Sequence, residues 1–155
     1  MLLPFYKISL VKTEFNYIGA FKDTTLKRSI LKKYELEFII KTSPSVLYNF
    51  LSTPSGLSEW FCDDVNIKND VYTFMWDNSE EQASLINKKN GSFIKFHWED
   101  HDDEDTFSEF RIRIDSLTKE VALLITDFAE EDELEEAQLL WENQVNDLKH
   151  ALGSH

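Results

Sequence analysis

A chain of 155 residues is long enough to fold as one domain with a sizeable core, and 14% of its residues are aromatic. Its net charge of -13 disfavours nucleic acid as a partner, because binding to nucleic acid depends on neutralising phosphates with Lys and Arg. The same charge disfavours an anionic membrane surface, and no apolar run approaches the ~20 residues of a membrane-spanning helix. We therefore expect no nucleic-acid partner and no membrane insertion.

Cysteine content and the first residues bear on the compartment. Cys62 is the single cysteine, so an intrachain disulfide cannot form, which is compatible with a reducing cytoplasm. The first ten residues are interrupted by Pro4 and Lys7 and lack the apolar core of a secretory signal. We expect a cytoplasmic protein.

Charge is distributed unevenly along the chain. Residues 1–33 carry seven Lys or Arg and two acidic residues, a charge of +5. Residues 34–155 carry nine Lys or Arg and 27 acidic residues, a charge of -18. The first segment mixes aromatic residues with lysines and shows no sustained period. We predict a flexible basic N-terminal extension over residues 1–32, without a fold of its own, and one domain over residues 33–152. An alternative is a mobile arm that docks on the acidic remainder.

The predicted domain begins with a strand and two short helices. Every second residue from Tyr34 to Ile40 is apolar, which predicts a half-buried strand. Ser43 followed by Pro44 is typical of the N-cap and first position of a helix. Thr53-Pro54 predicts a second short helix that extends to Trp60.

Six further strands and one long helix are predicted after these helices. Turn signals at Asn69-Asp70 and Asn90-Gly91 separate strands that alternate between apolar and polar residues. Apolar residues from Leu134 to Leu152 recur at steps of three and four, and acidic residues crowd the start of this helix, where its dipole favours them. The predicted strands lie at about Cys62–Lys68, Val71–Trp76, Gln82–Lys88, Ser92–Trp98, Glu109–Asp115 and Glu120–Thr126.

In this order of elements, together with particular residues, the chain resembles the START-like superfamily, also described as Bet v 1-like or SRPBCC proteins. Within it the likeness is strongest to small bacterial START-like proteins related to activator-of-chaperone-ATPase homologues, and it covers residues 33–152. The resemblance implies an α+β helix-grip fold, a curved antiparallel sheet wrapped around a long C-terminal helix, with two short helices after the first strand. The residues that carry it are Ser43-Pro44, Thr53-Pro54, Glu59-Trp60-Phe61, Asp127-Phe128-Ala129, Trp141 and the acidic start of the last helix.

Members of that superfamily hold lipids, sterols, polyketides or other apolar molecules in a cavity between sheet and helix. Some are cyclases or hydrolases, and others act as co-chaperones. The resemblance therefore implies a ligand-binding or partner-binding module. Our first hypothesis is a non-catalytic module that binds an apolar small molecule and needs no cofactor. One alternative is a protein-interaction or co-chaperone-like module whose acidic surface meets a basic protein partner. A cyclase or hydrolase is a third alternative, for which the sequence offers no compelling polar group that faces the cavity.

The predicted ligand contacts are large apolar side chains on the inward strand faces and on the last helix. Such rings can line a pocket for a flat or greasy ligand. The same residues also fit an ordinary core, because protein interiors pack densely. The predicted set, with Trp60 near the cavity mouth, is Trp60, Phe74, Trp76, Phe96, Trp98, Phe110, Trp141 and Val145.

No metal site and no catalytic residues are predicted. His97, Glu99 and His101 are suitable ligand types, but on an extended strand the two histidines would lie about 13 Å apart. That separation is too large for one ion whose ligands lie at about 2.1 Å. A turn after the strand would bring them closer, and the acidic run that follows is compatible with a loop. Nothing in the sequence marks a carboxyl group with a raised pKa, and Asp77 beside Trp76 is the acid to inspect first.

Adjacent carboxylates occur at Asp63-Asp64 and Glu80-Glu81. Neighbours on a strand point to opposite faces, so neither pair can share a proton, and we interpret both as solvated surface. The two aspartates that follow Cys62 should raise the pKa of its thiol. This disfavours a nucleophilic cysteine.

Overall fold

The computed structural model describes residues 30–154. Of the predicted extension over residues 1–32, all but the last three positions lie outside these residues. The chain orders its elements as one strand, two short helices, six strands and a long helix. They are β1 (Leu31–Ile39), α1 (Pro44–Ser52), α2 (Pro54–Leu57), β2 (Asp64–Lys68), β3 (Val71–Trp76), β4 (Ser79–Lys89), β5 (Phe93–Trp98), β6 (Ser108–Ile114), β7 (Val121–Glu130), a 3-10 turn (Glu131–Glu133) and α3 (Leu134–Ala151).

The seven described strands form one antiparallel sheet in the order β1-β7-β6-β5-β4-β3-β2. Chain-consecutive strands are therefore neighbours, except that β1 pairs with β7 and lies at the edge of the sheet. The curved sheet, the two short helices after β1 and the long final helix confirm the predicted helix-grip fold.

Both short helices begin where the sequence predicts. The Ser43 hydroxyl accepts the backbone N–H of Val46 at 3.3 Å, and the Thr53 hydroxyl accepts that of Gly56 at 3.0 Å. A proline occupies the first turn of each helix, where its missing N–H costs nothing. These caps satisfy donors that the first turn of a helix would otherwise leave without partners.

Two predicted hairpins are confirmed by their backbone angles. Asn69 and Asp70 both adopt positive φ, at 50° and 62°, as a two-residue turn with the right twist requires. Gly91 adopts φ of 74° between β4 and β5. The turns hold neighbouring strands in register, so Val65, Phe74 and Glu81 lie opposite one another on β2, β3 and β4.

Strand ends differ from the predicted ends by three residues or more in three places. β1 begins at Leu31 and β4 begins at Ser79, each three residues before its predicted start. β7 continues to Glu130, four residues past its predicted end. It lies between β1 and β6 with both faces buried, and the polar residue Asp127 does not end it because its carboxyl group has hydrogen-bond partners there.

The core lies between one face of the sheet and α3. Trp141, Val145 and Leu148 of α3 are fully buried, at spacings that place them on one side of the helix. The Trp141 ring meets Phe110 of β6 edge-on, with ring centroids 5.7 Å apart. Aromatic side chains thus join the helix to the sheet.

Candidate functional site

All eight predicted ligand contacts are buried in one core, with exposed fractions between 0% for Trp141 and 6% for Trp76. They come from the segment after α2, from strands β3, β5 and β6, and from α3. The structure therefore brings them together as the sequence predicts. Whether they contact a ligand stays a prediction.

Phe61 lies at the centre of these rings, although the predicted set omits it. Its ring stacks on Trp141 at 6.2 Å and meets Phe74 edge-on at 5.1 Å. Because Phe61 follows Trp60 directly, its membership in the Glu59-Trp60-Phe61 segment was the signal that could have identified it. The rings whose centroids lie within 6.5 Å of Phe61 are Trp60, Phe74, Trp76, Trp98, Phe110 and Trp141.

A cleft of about 390 Å³ opens beside this aromatic cluster. One wall is formed by residues 58–63, which connect α2 to β2, together with Trp76 at the end of β3. The C-terminal half of α3 forms the other wall. Of the eight predicted contacts, Trp60 and Trp76 line the cleft. The lining positions on α3 are Gln144, Asp147, His150 and Ala151, which recur at three- and four-residue steps on one helix face.

Hydrogen bonds hold both indole rings of the cleft in place. The Trp60 indole N–H donates to the carbonyl oxygen of Phe50 at 2.8 Å, and the Trp76 indole N–H donates to that of Phe61 at 2.9 Å. The side-chain amide of Gln144 donates to the carbonyl oxygen of Trp60, which connects α3 to the opposite wall. Both indole N–H groups are used within the protein, so the rings offer apolar surface to the cleft.

The rim of the cleft is acidic. Glu59 and Asp63 are exposed, and Asp147 is half-buried. None of the described residues that line the cleft is Lys or Arg. Burial, and to a smaller extent the charges of Asp64 and Asp63, raises the pKa of the Cys62 thiol to about 12. The thiol therefore keeps its proton, as the sequence predicts.

Asp127 is a buried carboxyl group with a raised pKa, although nothing in the sequence marks it as one. Its side chain is 3% exposed. One carboxyl oxygen accepts the Ser108 hydroxyl at 2.8 Å, and the other accepts the Trp141 indole N–H at 3.0 Å and the Tyr34 hydroxyl at 3.4 Å. The indole N–H of Trp98 donates to Ser108 at 2.9 Å.

Burial raises the pKa of Asp127 to about 6, although its hydrogen bonds to Ser108, the Phe128 backbone, Trp141 and Tyr34 act in the opposite direction. Burial and the nearby Asp127 charge likewise raise the pKa of the Tyr34 hydroxyl. Asp127 does not line the cleft. The network joins β1, β5, β6 and β7 to α3, which indicates a structural role.

Glu81 is a second carboxyl group with a raised pKa. It is only partly exposed and pairs with Phe74, so it shares the sheet face of the aromatic core. Burial, followed by the charge of Asp100, raises its pKa to about 7. The interpretation of Glu81 as solvated surface was therefore wrong. Asp77, the acid chosen for inspection, is exposed.

His97 and His101, whose side chains are suitable metal ligands, both contact Thr106. β5 ends at Trp98, and the His97 ring nitrogen Nδ1 lies 2.9 Å from the Thr106 carbonyl oxygen. The corresponding nitrogen of His101 lies 3.2 Å from the Thr106 hydroxyl oxygen. The chain turns after Trp98, which is the alternative that the sequence left open, so His101 does not continue the extended strand. Across residues 30–154, no three His, Cys, Asp or Glu side chains are grouped so that they could hold a metal ion.

Comparisons with known proteins agree with this architecture. The family model for the START-like superfamily domain matches residues 29–154. The solution structure of BfR322 from Bacteroides fragilis is 35% identical with a TM-score of 0.58, over 79% of this chain and 91% of that chain. A search of curated proteins found no match. None of the helices described here is long and apolar enough to cross a membrane.

Two further solved structures share the fold at lower identity. The Aha1 dimer from Colwellia psychrerythraea is 18% identical with a TM-score of 0.66, over 78% of this chain and 96% of that chain. ChR145 from Cytophaga hutchinsonii is 14% identical with a TM-score of 0.62, over 79% of this chain and 94% of that chain. Each match covers nearly the whole of the other chain.

Proposed function

The chain belongs to the START-like superfamily, whose members typically bind apolar small molecules, and from this premise we propose that it is a non-catalytic cytoplasmic module that binds a lipid-like or other apolar ligand. The observation that carries the proposal is the cleft of about 390 Å³ between residues 58–63 and α3. Small-molecule sites typically enclose ~300–1,000 Å³ and combine apolar walls with a few polar groups. The volume of the cleft lies in that range, and its lining combines aromatic side chains with polar ones.

The predicted contacts fall into two groups in this proposal. Trp60 and Trp76 contact the ligand directly, because they line the cleft. Phe61 separates the cleft from the deeper rings, so a ligand that displaces the Phe61 ring reaches the second group. Those six residues are Phe74, Phe96, Trp98, Phe110, Trp141 and Val145.

The chemistry of the cleft supports binding rather than catalysis. General acid–base catalysis needs a group with a suitable pKa within hydrogen-bond reach of the substrate. The two carboxyl groups with strongly raised pKa values, Asp127 and Glu81, do not line the cleft. The Cys62 thiol does line it, but burial keeps that group protonated and hence a weak nucleophile.

Native mass spectrometry with a cleft-filling variant tests the proposal. Ala151 is exposed on the rim, so Ala151→Trp places a large ring in the cleft without disturbing the core. The matched control is Leu139→Trp, which adds a ring at an exposed position of α3 away from the cleft. We expect the wild-type protein and the control to carry an added mass that denaturation removes, and Ala151→Trp to lack it.

A titration with a neutral apolar probe, 2-naphthylmethanol, completes the test. The indole N–H signals of Trp60 and Trp76 should shift in ¹H–¹⁵N spectra, and Ala151→Trp should abolish the shifts. Absence of both the added mass and the shifts in the wild-type protein would refute a ligand-binding role for the cleft.

A basic protein partner is the second candidate function, and the placement of acidic segments favours it. The ring centroids of Phe107 and Phe128 lie 5.2 Å apart, so the loop after β5 and the end of β7 are neighbours. These segments, with the 3-10 turn and the start of α3 that follow β7, carry Glu99, Asp100, Asp102, Asp103, Glu104, Asp105, Glu130, Glu131, Asp132, Glu133, Glu135 and Glu136. Binding of a Lys-rich peptide here should weaken as salt increases, and salt-insensitive binding would contradict a charge-driven interaction.

A further inference from the structure

We propose that the cleft between residues 58–63 and α3 selects a ligand with a protonated amine attached to an apolar body. This inference rests on the proposed function, because it names the chemical class of the ligand for the same cleft. It follows from two independent observations, the charge of the rim and an acceptor inside the cleft that lacks a donor.

The floor of the cleft suits the apolar body. Trp60, Phe61 and Trp76 line the cleft and are almost fully buried. The indole N–H groups of Trp60 and Trp76 already donate to backbone carbonyl oxygens. The floor therefore offers apolar contact and no indole hydrogen-bond donor to a ligand.

The rim supplies negative charge from both walls. Glu59 and Asp63 belong to the segment between α2 and β2, and Asp147 belongs to α3. With no Lys or Arg among the described lining residues, the three carboxylates make the field at the mouth negative. A cation in the mouth gains attraction from two sides, whereas a carboxylate is repelled from both.

An acceptor inside the cleft points to the same class of ligand. The Gln144 side chain lines the cleft and is 3% exposed, and its amide nitrogen donates to the carbonyl oxygen of Trp60. No described residue donates to its amide oxygen, Oε1, and Oε1 is not among the buried atoms without a partner in the described chain, so it is open to the cleft. Carboxylates can only accept hydrogen bonds when ionised, so the cleft presents several acceptors that a donor on the ligand can reach. A primary ammonium group brings three donors and the opposite charge.

A series of matched naphthalenes tests this inference on the full-length ¹⁵N-labelled protein. The probes are 2-naphthylmethylamine, 2-naphthylmethanol and 2-naphthoate, which share one ring system and differ in charge. The measurement is made near pH 8, where an ordinary imidazole is neutral and the amine is protonated. The indole N–H signals of Trp60 and Trp76 report binding in the cleft, and those of Trp98 and Trp141, which do not line it, show whether a probe also reaches the deeper rings.

We expect the amine to bind about fivefold or more tightly than the alcohol, the order of one partly screened ion pair, and the naphthoate to bind most weakly. Added salt should weaken binding of the amine and leave the alcohol unchanged. Equal affinities for amine and alcohol would overturn the cationic preference and leave the proposed function standing. Absence of shifts with all three probes would overturn both.

A pair of charge variants shows whether the rim itself is responsible. Asp147→Asn removes a carboxylate from the cleft, and Glu142→Gln removes an exposed one from the same helix outside it. Asp147→Asn should weaken the amine alone about threefold to fivefold, with the alcohol as the control for folding. If both variants lose the same affinity for the amine, the effect comes from the overall charge of the protein. That result would overturn the proposal that the rim of the cleft holds the amine.

Discussion

Asp127 is the residue whose environment departs most from what its chemistry favours. A buried carboxyl group without a cation is costly, and hydrogen-bond donors from β1, β6 and α3 offset that cost. Since each donor comes from a different element, one side chain specifies how they are arranged. We infer that Asp127 contributes more to the position of α3 than to the free energy of folding.

Replacing Asp127 with Asn should flatten the pH dependence of stability. The pKa of Asp127 is about 6 in the folded protein against an ordinary value of 3.8, so between these values the folded state binds more protons than the unfolded state. Stability therefore falls as pH rises through about 4 to 6, by ~3 kcal/mol at most for a shift of about two units. Urea unfolding at about pH 4.5 and pH 7 measures this difference.

In Asp127→Asn, the part of this fall in stability that comes from Asp127 should disappear. The part that comes from Glu81 should remain, because its raised pKa also makes stability fall as pH rises from about 4.5 to 7. Asp77→Asn, at an exposed carboxyl group, is the control and should behave as the wild-type protein does. An unchanged pH dependence in Asp127→Asn would contradict the raised pKa of Asp127.

The sequence indicated this residue only indirectly. Asp127 lies two positions after Ile125 and four after Leu123, on the same inward face of β7. The predicted strand ends at Thr126, one residue before Asp127. Its hydrogen-bond partners are distant in sequence, so no local pattern could show that the carboxyl group would be satisfied inside the core.

At the scale of elements, the junction of α1 and α2 shows why short-range signals predict well. Ser43, Pro44, Thr53 and Pro54 act on backbone groups within three residues, and all four take their predicted roles. The close approach of the two helices is not visible in such local signals, because it depends on how the second helix packs against the first. Gly56 lies at the point of contact.

Gly56→Ala should destabilise the protein although Ala favours helix by ~1 kcal/mol over Gly. An added Cβ would lie 2.6 Å from the Cα atom of Phe50, closer than real Cβ atoms approach, and the backbone cannot move aside as a flexible side chain can. We expect a net loss of about 1–3 kcal/mol, measured by urea unfolding. Ser55→Ala, exposed on the same helix, is the control, and an equal or smaller loss for Gly56→Ala would contradict the close packing.

At the scale of the whole molecule, periodicity and turn chemistry predicted the order of elements and the inward faces of the strands. They could not predict the division of the aromatic residues into a filled core and a cleft wall. That division depends on Phe61, whose ring occupies the space among Trp98, Phe110 and Trp141. A sequence pattern gives the face on which a ring lies, whereas the ring's direction and the remaining space depend on packing against other elements.

The net charge of -13 leads to a prediction about salt. Self-repulsion of a strongly charged chain destabilises its compact state, and salt screens that repulsion. Salt also weakens exposed ion pairs such as Lys32–Glu131, but each contributes only ~0–1 kcal/mol. We therefore expect the urea midpoint near pH 8 to rise with added NaCl.

Charge variants separate this electrostatic effect from other actions of salt. The double variant Asp102→Asn/Glu104→Gln neutralises two exposed acids of the loop after β5, so it should be more stable than wild type at low salt and respond less to NaCl. Lys88→Gln, at an exposed position of β4, makes the net charge more negative. It should be less stable than wild type at low salt and gain more stability from NaCl. If NaCl raises the urea midpoint of all three proteins equally, screening of self-repulsion is not the cause of the stabilisation. A graded response would show that the excess of carboxylates lowers the stability of the fold, which is the expected cost of a surface able to attract cationic ligands.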